Sequence, residues 1–184
     1  MMRKTIDVIT LILTCGMWIL LVMYGCFHMK GLFALLVTVI TTWYHFAMRL
    51  LVGWLCRLWF PWSVAADRGW FRERPWEKGL YQKLRVHQWK GFLPTYLEQE
   101  FDFQALSPET LLRNMCKSEL GHEIILLLSF VPLLFSVFAG EFAVFLFTSL
   151  GAALPDAAAV LVQRYNRPRV LRAARRKKQQ KRNT

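Results

Sequence analysis

The sequence has few cysteines and no motif that predicts a bound metal. Its four Cys residues include no CxxC pair, and the HExxH pattern of zinc peptidases is missing. We therefore expect neither a disulfide framework nor a zinc site, and no resident cofactor. The chain also lacks an internal repeat and any stretch that would form a separate soluble domain.

Acidic residues are scarce, because the 184 residues include 12 Asp and Glu against 24 Lys and Arg, a net charge of +12. Such a basic chain suits either nucleic acid or an anionic membrane surface. Hydrophobic residues make up 55% of the chain, above the roughly 45–50% of soluble domains. They are concentrated in long runs, which favours the membrane and argues against a nucleic-acid partner.

Four apolar runs predict helices that cross a membrane, since roughly 20 helical residues span about 30 Å of hydrocarbon. The first run is too long for the apolar core of a signal peptide, and no A-x-A-like cleavage site follows it, so we expect it to be retained. Pro132 is expected to kink the third helix and Pro155 to break the fourth. We predict an all-α integral membrane protein with four transmembrane helices, over residues 6–27, 32–55, 124–139 and 142–162.

The basic residues predict the topology. Ten of the 24 lie in residues 57–120, ten in residues 164–182 and two at the N-terminus. Four crossings place these three segments on one side, which the positive-inside rule assigns to the cytoplasm. We expect a multi-pass cell-membrane protein with both termini cytoplasmic and a cytoplasmic or interfacial loop, residues 57–120, between the second and third helices. Residues 1–172 would form one membrane domain and residues 173–184 a basic, disordered tail.

Glu119 and His122 form a candidate catalytic pair at the start of the third membrane helix. They lie three residues apart, so they share a helical face. An imidazole can take a proton from a hydroxyl, and a carboxylate can orient that imidazole and stabilise its charged form. The alternative is that both are interfacial polar residues without a catalytic role.

A dense polar segment, Gln163–Arg169, ends the fourth helix. Its arginines suit phosphate or carboxylate groups, whereas a plain stop-transfer cluster, the alternative, would not need Gln and Asn. Asp156 lies on the same helical stripe as Gln163 and Arg167, and a carboxylate in a membrane segment suggests a functional site. The alternative for Asp156 is an ion pair with Arg49 or another cation.

Basic and aromatic residues alternate from Trp70 to Lys90. This pattern is typical of a segment at the membrane interface, with aromatic rings in the lipid and cations at the headgroups. Single-stranded nucleic acid binds similar patterns, but attachment to a membrane disfavours that alternative.

Four motifs occur in the order WFRERPWEK, RVHQWKGFLP, SELGHE and LP-x7-QRYNRPR. In this order they resemble the glycosyl-4,4'-diaponeurosporenoate acyltransferases, membrane enzymes of carotenoid ester biosynthesis, over about Trp70 to Arg172. The chain departs from the family's pattern at Asp156, where we expect Asn after the Pro. We take Asp156 as a candidate for substrate binding together with the positions that match the motifs: Arg85, Trp89, Lys90, Gln163, Arg164, Asn166, Arg167 and Arg169.

The resemblance implies transfer of a fatty acyl group to a sugar hydroxyl of a glycosylated carotenoid or another glycolipid. The donor would be acyl-CoA or a similar thioester, and membrane lipids would be the other partners; the oligomeric state is not implied. His122 would act as general base, oriented by Glu119, and Arg164, Arg167 and Arg169 would hold donor phosphates or the developing oxyanion. This mechanism requires the start of the third helix and the end of the fourth to meet.

Two other functions are compatible with a small, basic, four-helix membrane protein. An isoprenoid-type methyltransferase would need a nucleotide site in the C-terminal arm, and the absence of acids after Arg169 weakens that alternative. A non-catalytic lipid-binding subunit is the second alternative. The glycerolipid acyltransferases are excluded because no His is followed five positions later by Asp, and the large O-acyltransferases because they need more than four helices.

Overall fold

The computed structural model describes residues 2–59, 68–92 and 105–183, which form helices and short connections without a strand. Four segments are long and apolar enough to cross a membrane, which confirms the predicted fold class. Short 3-10 turns cover Gly69–Phe71 and Lys90–Phe92. The helices are α1 (Met2–Phe27), α2 (Lys30–Trp59), α3 (Pro75–Lys83), α4 (Val86–Trp89), α5 (Pro108–Leu128), α6 (Val131–Ala139) and α7 (Phe142–Asn183).

The surface of α1 is that of a helix in lipid. Large apolar side chains such as Ile12, Trp18 and Val22 are 62–65% exposed. A helix that presented this much contiguous apolar surface to water would be an aggregation site, whereas hydrocarbon solvates it. His28 adopts a left-handed backbone (φ 49°) between α1 and α2, which reverses the chain in two residues.

Proline has different effects in the third and fourth spans. The third is interrupted between α5 and α6, where Pro132 lies in the first turn of α6, because proline cannot continue the hydrogen bonds of the preceding turn. By contrast α7 is continuous through Pro155, so the expected break in the fourth helix is wrong. Alanines around Pro155 favour helix strongly, and membrane helices tolerate the lost hydrogen bond.

The helix α7 continues to Asn183, through most of the segment predicted to be a basic tail. The physical reason is local, because no Gly or Pro follows Pro168 and the tail is rich in Ala, Arg, Lys and Gln. These residue types have high helix propensity.

The chain divides into two compact units, and the single membrane domain over residues 1–172 stays a prediction. The first, the apolar unit, comprises Met1–Leu55 and Ile124–Asp156; the second, the polar unit, comprises Cys56–Glu123 and Ala157–Thr184. The helices α2, α5 and α7 contribute residues to both units.

Hydrogen bonds join helices inside the apolar unit. Trp43 Nε1 donates to Thr14 Oγ1 at 2.9 Å, which links α2 to α1. Tyr44 donates its hydroxyl to the Leu128 carbonyl at 3.0 Å, which links α2 to α5. Such bonds replace those that water would provide to polar groups outside a membrane.

The core of the polar unit lies between α5 and α7. Leu111 and Met115 of α5 pack with Val170 and Ala174 of α7, and all four are buried. Ser107 Oγ accepts a hydrogen bond from the Thr110 backbone N–H at 3.2 Å and caps α5. This cap and Pro108 at the first helical position explain why α5 begins here.

Candidate functional site

The centre of the candidate site is a network of buried ion pairs in the polar unit. Arg164 donates from Nε to Glu119 at 2.8 Å, from Nη1 to Glu77 at 2.7 Å and from Nη2 to the Trp70 carbonyl at 2.7 Å. Both carboxylates are almost completely buried, with 0% and 1% of their surfaces exposed. One guanidinium thus joins α7 to α5, to α3 and to the segment before α3.

Arg167 completes this network. It donates from Nη1 to the second carboxylate oxygen of Glu119, and its guanidinium lies over the Phe71 ring at 5.2 Å. Only 3% of Arg167 is exposed. The start of the third span and the end of the fourth therefore meet, as the sequence analysis required.

Tyr81 contributes a neutral hydrogen-bond donor to the network. Its hydroxyl donates to Glu77 Oε2 at 2.8 Å, one turn earlier on α3. Burial raises the pKa of Tyr81 well above its usual value, and the hydrogen bond and charge of Glu77 raise it further. The phenol therefore remains protonated and able to donate throughout the neutral range.

The catalytic candidate His122 lies half-buried on α5, one turn after Glu119. Each oxygen of Glu119 already accepts a hydrogen bond from an arginine. Glu119 therefore anchors α7 through both of its carboxylate oxygens. The adjacent residue, Glu123, accepts a hydrogen bond from Trp70 Nε1 at 2.8 Å.

A polar cavity of about 480 Å³ opens beside this network, within the polar unit. Tyr81, Tyr165 and Pro168 are its least exposed lining residues. Its other lining residues are exposed and mostly cationic or amide-bearing: Glu73, Lys78, Gln82, Arg85, His87, Gln88, Arg169 and Arg172.

Arg85 reaches the cavity from a strained position. Its backbone is left-handed (φ 50°, ψ 40°) between α3 and α4, a conformation that costs a non-glycine residue about 1–3 kcal/mol. Trp89 Nε1 donates to the Leu84 carbonyl at 2.8 Å and closes this turn. Trp89 therefore supports the position of Arg85.

Tyr165 contacts two cationic side chains beside the cavity. The Arg169 guanidinium lies over its ring at 4.2 Å and donates to its hydroxyl at 2.6 Å. Lys90 Nζ lies 5.1 Å from the same ring and donates to Asn166 Oδ1 at 3.1 Å. These cation–π contacts hold the cations without neutralising their charge.

Most of the predicted site residues lie together in the polar unit, but they divide into two groups. Arg164, Arg167 and Glu119 belong to the ion-pair network, whereas Arg85 and Arg169 line the cavity. Trp89, Lys90 and Asn166 support the cavity through the contacts above. Gln163 makes one long contact, from Nε2 to Ser118 Oγ at 3.4 Å.

Asp156 belongs to the apolar unit. It is buried and forms an ion pair with Arg49, which also donates to the Ala152 carbonyl. The ion pair with Arg49 is thus present, and substrate binding by Asp156 stays a prediction.

Several residues of the site were not among the sequence-based candidates. Glu77 and Tyr81 lie four apart on α3, a spacing that could have suggested their contact. Lys78, His87 and Arg172 line the cavity, and no local pattern separates them from other basic residues.

The arrangement offers cations, amides and imidazoles but no metal site: the residues in the three described ranges contain no group of three His, Cys, Asp or Glu that could hold a metal ion. The cations and amides of this arrangement can bind anions, and an imidazole can transfer protons.

Comparison with known proteins identifies the family. Searches of curated protein sequences and of solved structures found no match. A family model described as glycosyl-4,4'-diaponeurosporenoate acyltransferase matches residues 67–176, which include the whole ion-pair network and every residue lining the cavity. The chain belongs to the glycosyl-4,4'-diaponeurosporenoate acyltransferase family.

Proposed function

We propose that this protein transfers a fatty acyl group from a thioester donor to a hydroxyl of a glycosylated carotenoid or a related glycolipid. The observation that carries the proposal is the coincidence of the family match with the site. The matched residues 67–176 contain the cationic cavity, the buried ion pairs and His122.

In the proposed reaction His122 removes the proton from the acceptor hydroxyl as its oxygen attacks the thioester carbonyl. The tetrahedral intermediate collapses, the carbon–sulfur bond breaks, and the imidazolium returns the proton to the leaving thiolate. Atoms and charge balance without a cofactor. Glu119 lies three residues earlier on the same helix, and both of its oxygens are held by arginines. Its proposed role is therefore to fix the position of the helix that carries His122.

The structure changes the roles that we propose for the arginines. Arg164 and Arg167 are held by Glu77 and Glu119, so their charges are largely compensated inside the protein. Arg169 keeps its charge at the cavity, where it contacts Tyr165 rather than a carboxylate. We therefore assign donor binding to Arg169 and the cavity, and the positioning of α7 to Arg164 and Arg167.

We further propose that the site faces the cytoplasm, because the distribution of Lys and Arg predicts that side for residues 57–120 and for both termini. A soluble thioester donor, which cannot cross the bilayer, would then reach the site directly. Reporter fusions that are active only in the cytoplasm should be active at both termini; activity at one terminus alone would contradict four crossings.

The test of function compares His122→Ala with His28→Ala, a histidine of the α1–α2 connection outside the site. Membranes containing each protein receive a fatty acyl thioester and a glycosylated carotenoid, and mass spectrometry measures the esterified product. We expect product from the wild type and from His28→Ala, and its loss with His122→Ala at equal protein level. Full activity of His122→Ala would remove the imidazole from the mechanism.

The same spectra test the two alternatives. A methyltransferase would add about 14 Da to a lipid when adenosyl-methionine is supplied, because a methyl group replaces a hydrogen. A non-catalytic subunit would give no product with any donor. Either outcome would contradict acyl transfer.

A further inference from the structure

The cavity in the polar unit carries an excess of positive charge. Four Lys and Arg side chains and one His line it, against one carboxylate, Glu73. Among the described residues, none of Lys78, Arg85 and Arg172 forms an ion pair with a carboxylate. Arg169 contacts the Tyr165 hydroxyl and ring instead. The charge of the cavity is therefore available to a ligand.

The chemistry of these side chains indicates phosphate groups. Guanidinium groups donate two parallel hydrogen bonds to phosphate oxygens, and an ammonium group adds a point charge. Four such cations exceed what a single phosphate requires, because one phosphate monoester carries about two negative charges. The cavity suits a ligand with two or more phosphates.

The volume of the cavity and its uncharged lining residues indicate which kind of phosphate-containing ligand fits. A cavity of about 480 Å³ lies within the range of small-molecule sites, about 300–1,000 Å³. Gln82 and Gln88 add amide donors and acceptors that suit a ribose or a base. The exposure of the lining cations leaves the cavity open to a soluble molecule.

We propose that this cavity binds the 3′-phosphate and diphosphate of coenzyme A, so that the acyl donor is a coenzyme A thioester. This inference rests on the proposed function and makes it more specific, because it selects the nucleotide-linked thioester over one carried on a protein. It also assigns ligand binding to Lys78 and Arg172, which lie outside the sequence-based candidates. Anionic lipid headgroups present the same phosphate chemistry, and the experiment separates the two sources.

The experiment measures binding by titration calorimetry of the purified full chain in nanodiscs of neutral phosphatidylcholine. The probes are coenzyme A, pantetheine, which lacks all three phosphates, and inorganic phosphate. Lys78→Gln and Arg172→Gln each remove one cavity cation. Arg175→Gln removes an exposed cation that lies on the same helix but does not line the cavity. Thermal unfolding confirms that each variant is folded.

We expect coenzyme A to bind the wild type and Arg175→Gln equally, and pantetheine not to bind. Each cavity variant should weaken coenzyme A binding about tenfold, the loss of one charge-assisted hydrogen bond. Equal affinities of all three variants, or equal binding of pantetheine, would overturn the proposal. So would loss of coenzyme A binding in discs that contain anionic phosphatidylglycerol, since the headgroups would then be the natural ligand.

A turnover assay separates failure of this inference from failure of the proposed function. Membranes receive the same acyl group either as a coenzyme A thioester or on an acyl carrier protein. Product from the carrier protein alone would refute the coenzyme A site while leaving acyl transfer intact. Product from neither donor would refute both, and product from coenzyme A that falls in Lys78→Gln and Arg172→Gln supports both.

Discussion

The substitution Glu119→Gln tests the buried ion-pair network most directly. The change keeps the shape of the side chain and removes its charge. Arg167, which is 3% exposed, then loses the carboxylate that compensates it, whereas Arg164 keeps Glu77 at 2.7 Å. Removing one partner of a buried ion pair typically costs about 3–5 kcal/mol, because the other charge remains buried without compensation.

The expected magnitude is large enough to measure by thermal unfolding in one detergent. For a soluble chain of similar length about 1 kcal/mol corresponds to roughly 2–4 °C, so we expect Glu119→Gln to lower the melting temperature by about 10 °C. The matched control is Glu109→Gln, an exposed carboxylate in the first turn of the same helix. It should melt within about 2 °C of the wild type, as most surface substitutions do.

A double variant shows whether the stability lost in Glu119→Gln comes from the unpaired charge of Arg167 or from another effect of the substitution. Replacing both partners with apolar residues of similar volume, as in Glu119→Leu with Arg167→Met, removes both buried charges together and should recover much of the lost stability. Equal melting temperatures for Glu119→Gln and Glu109→Gln would contradict a stabilising ion pair at Glu119. A double variant less stable than Glu119→Gln alone would contradict it as well.

Three further predictions concern buried polar groups. Tyr81→Phe should destabilise the protein by roughly 1.5–3 kcal/mol at neutral pH, the cost of losing a hydrogen bond to a charged group. Because the pKa of Tyr81 is raised by folding, its contribution is complete below pH 10 and falls at higher pH; alkaline unfolding monitored by tyrosinate absorbance should show a smaller loss of stability in Tyr81→Phe. Arg167→Lys should lower the melting temperature and donor turnover together, because an ammonium cannot reproduce the planar contact with Phe71; unchanged values for both would contradict it. His45→Phe should match or exceed the wild-type melting temperature, since both ring nitrogens are buried without a hydrogen-bond partner among the described residues, and a fall of more than 5 °C would show that the imidazole has a partner.

The sequence predicts the spans well because hydrophobic length is a local property. A run near 20 apolar residues has one low-energy structure in a membrane, so four spans follow from four runs. Whether a proline interrupts a helix depends on the residues around it, so the proline alone does not predict the outcome. Pro132 coincides with the interruption between α5 and α6, whereas Pro155 lies inside a continuous α7 among alanines.

The contact between the start of the third span and the end of the fourth was also predictable, but the partner of each arginine was not. Clusters of polar residues at the ends of apolar runs identified the segments around Arg164 and Glu119, which the ion pairs bring together. The partner that decides the role of Arg164 is Glu77, 87 residues away in the sequence. No local pattern indicates a pair at that separation, so the sequence alone suggested that Arg164 holds donor phosphates or the developing oxyanion.

The cations of the polar unit therefore belong to two classes, which substitution can separate. Arg164 and Arg167 are compensated by buried carboxylates, so their loss should lower stability first and turnover only as a consequence. Arg169 and Arg172 line the cavity and keep their charge, so their loss should raise the apparent KM for the donor at an unchanged melting temperature. Under the proposed function, a single basic motif at the end of α7 combines anchoring and binding, because it uses two faces of the helix. Arg164 and Arg167 contact the buried network, whereas Tyr165, Arg169 and Arg172 line the open cavity.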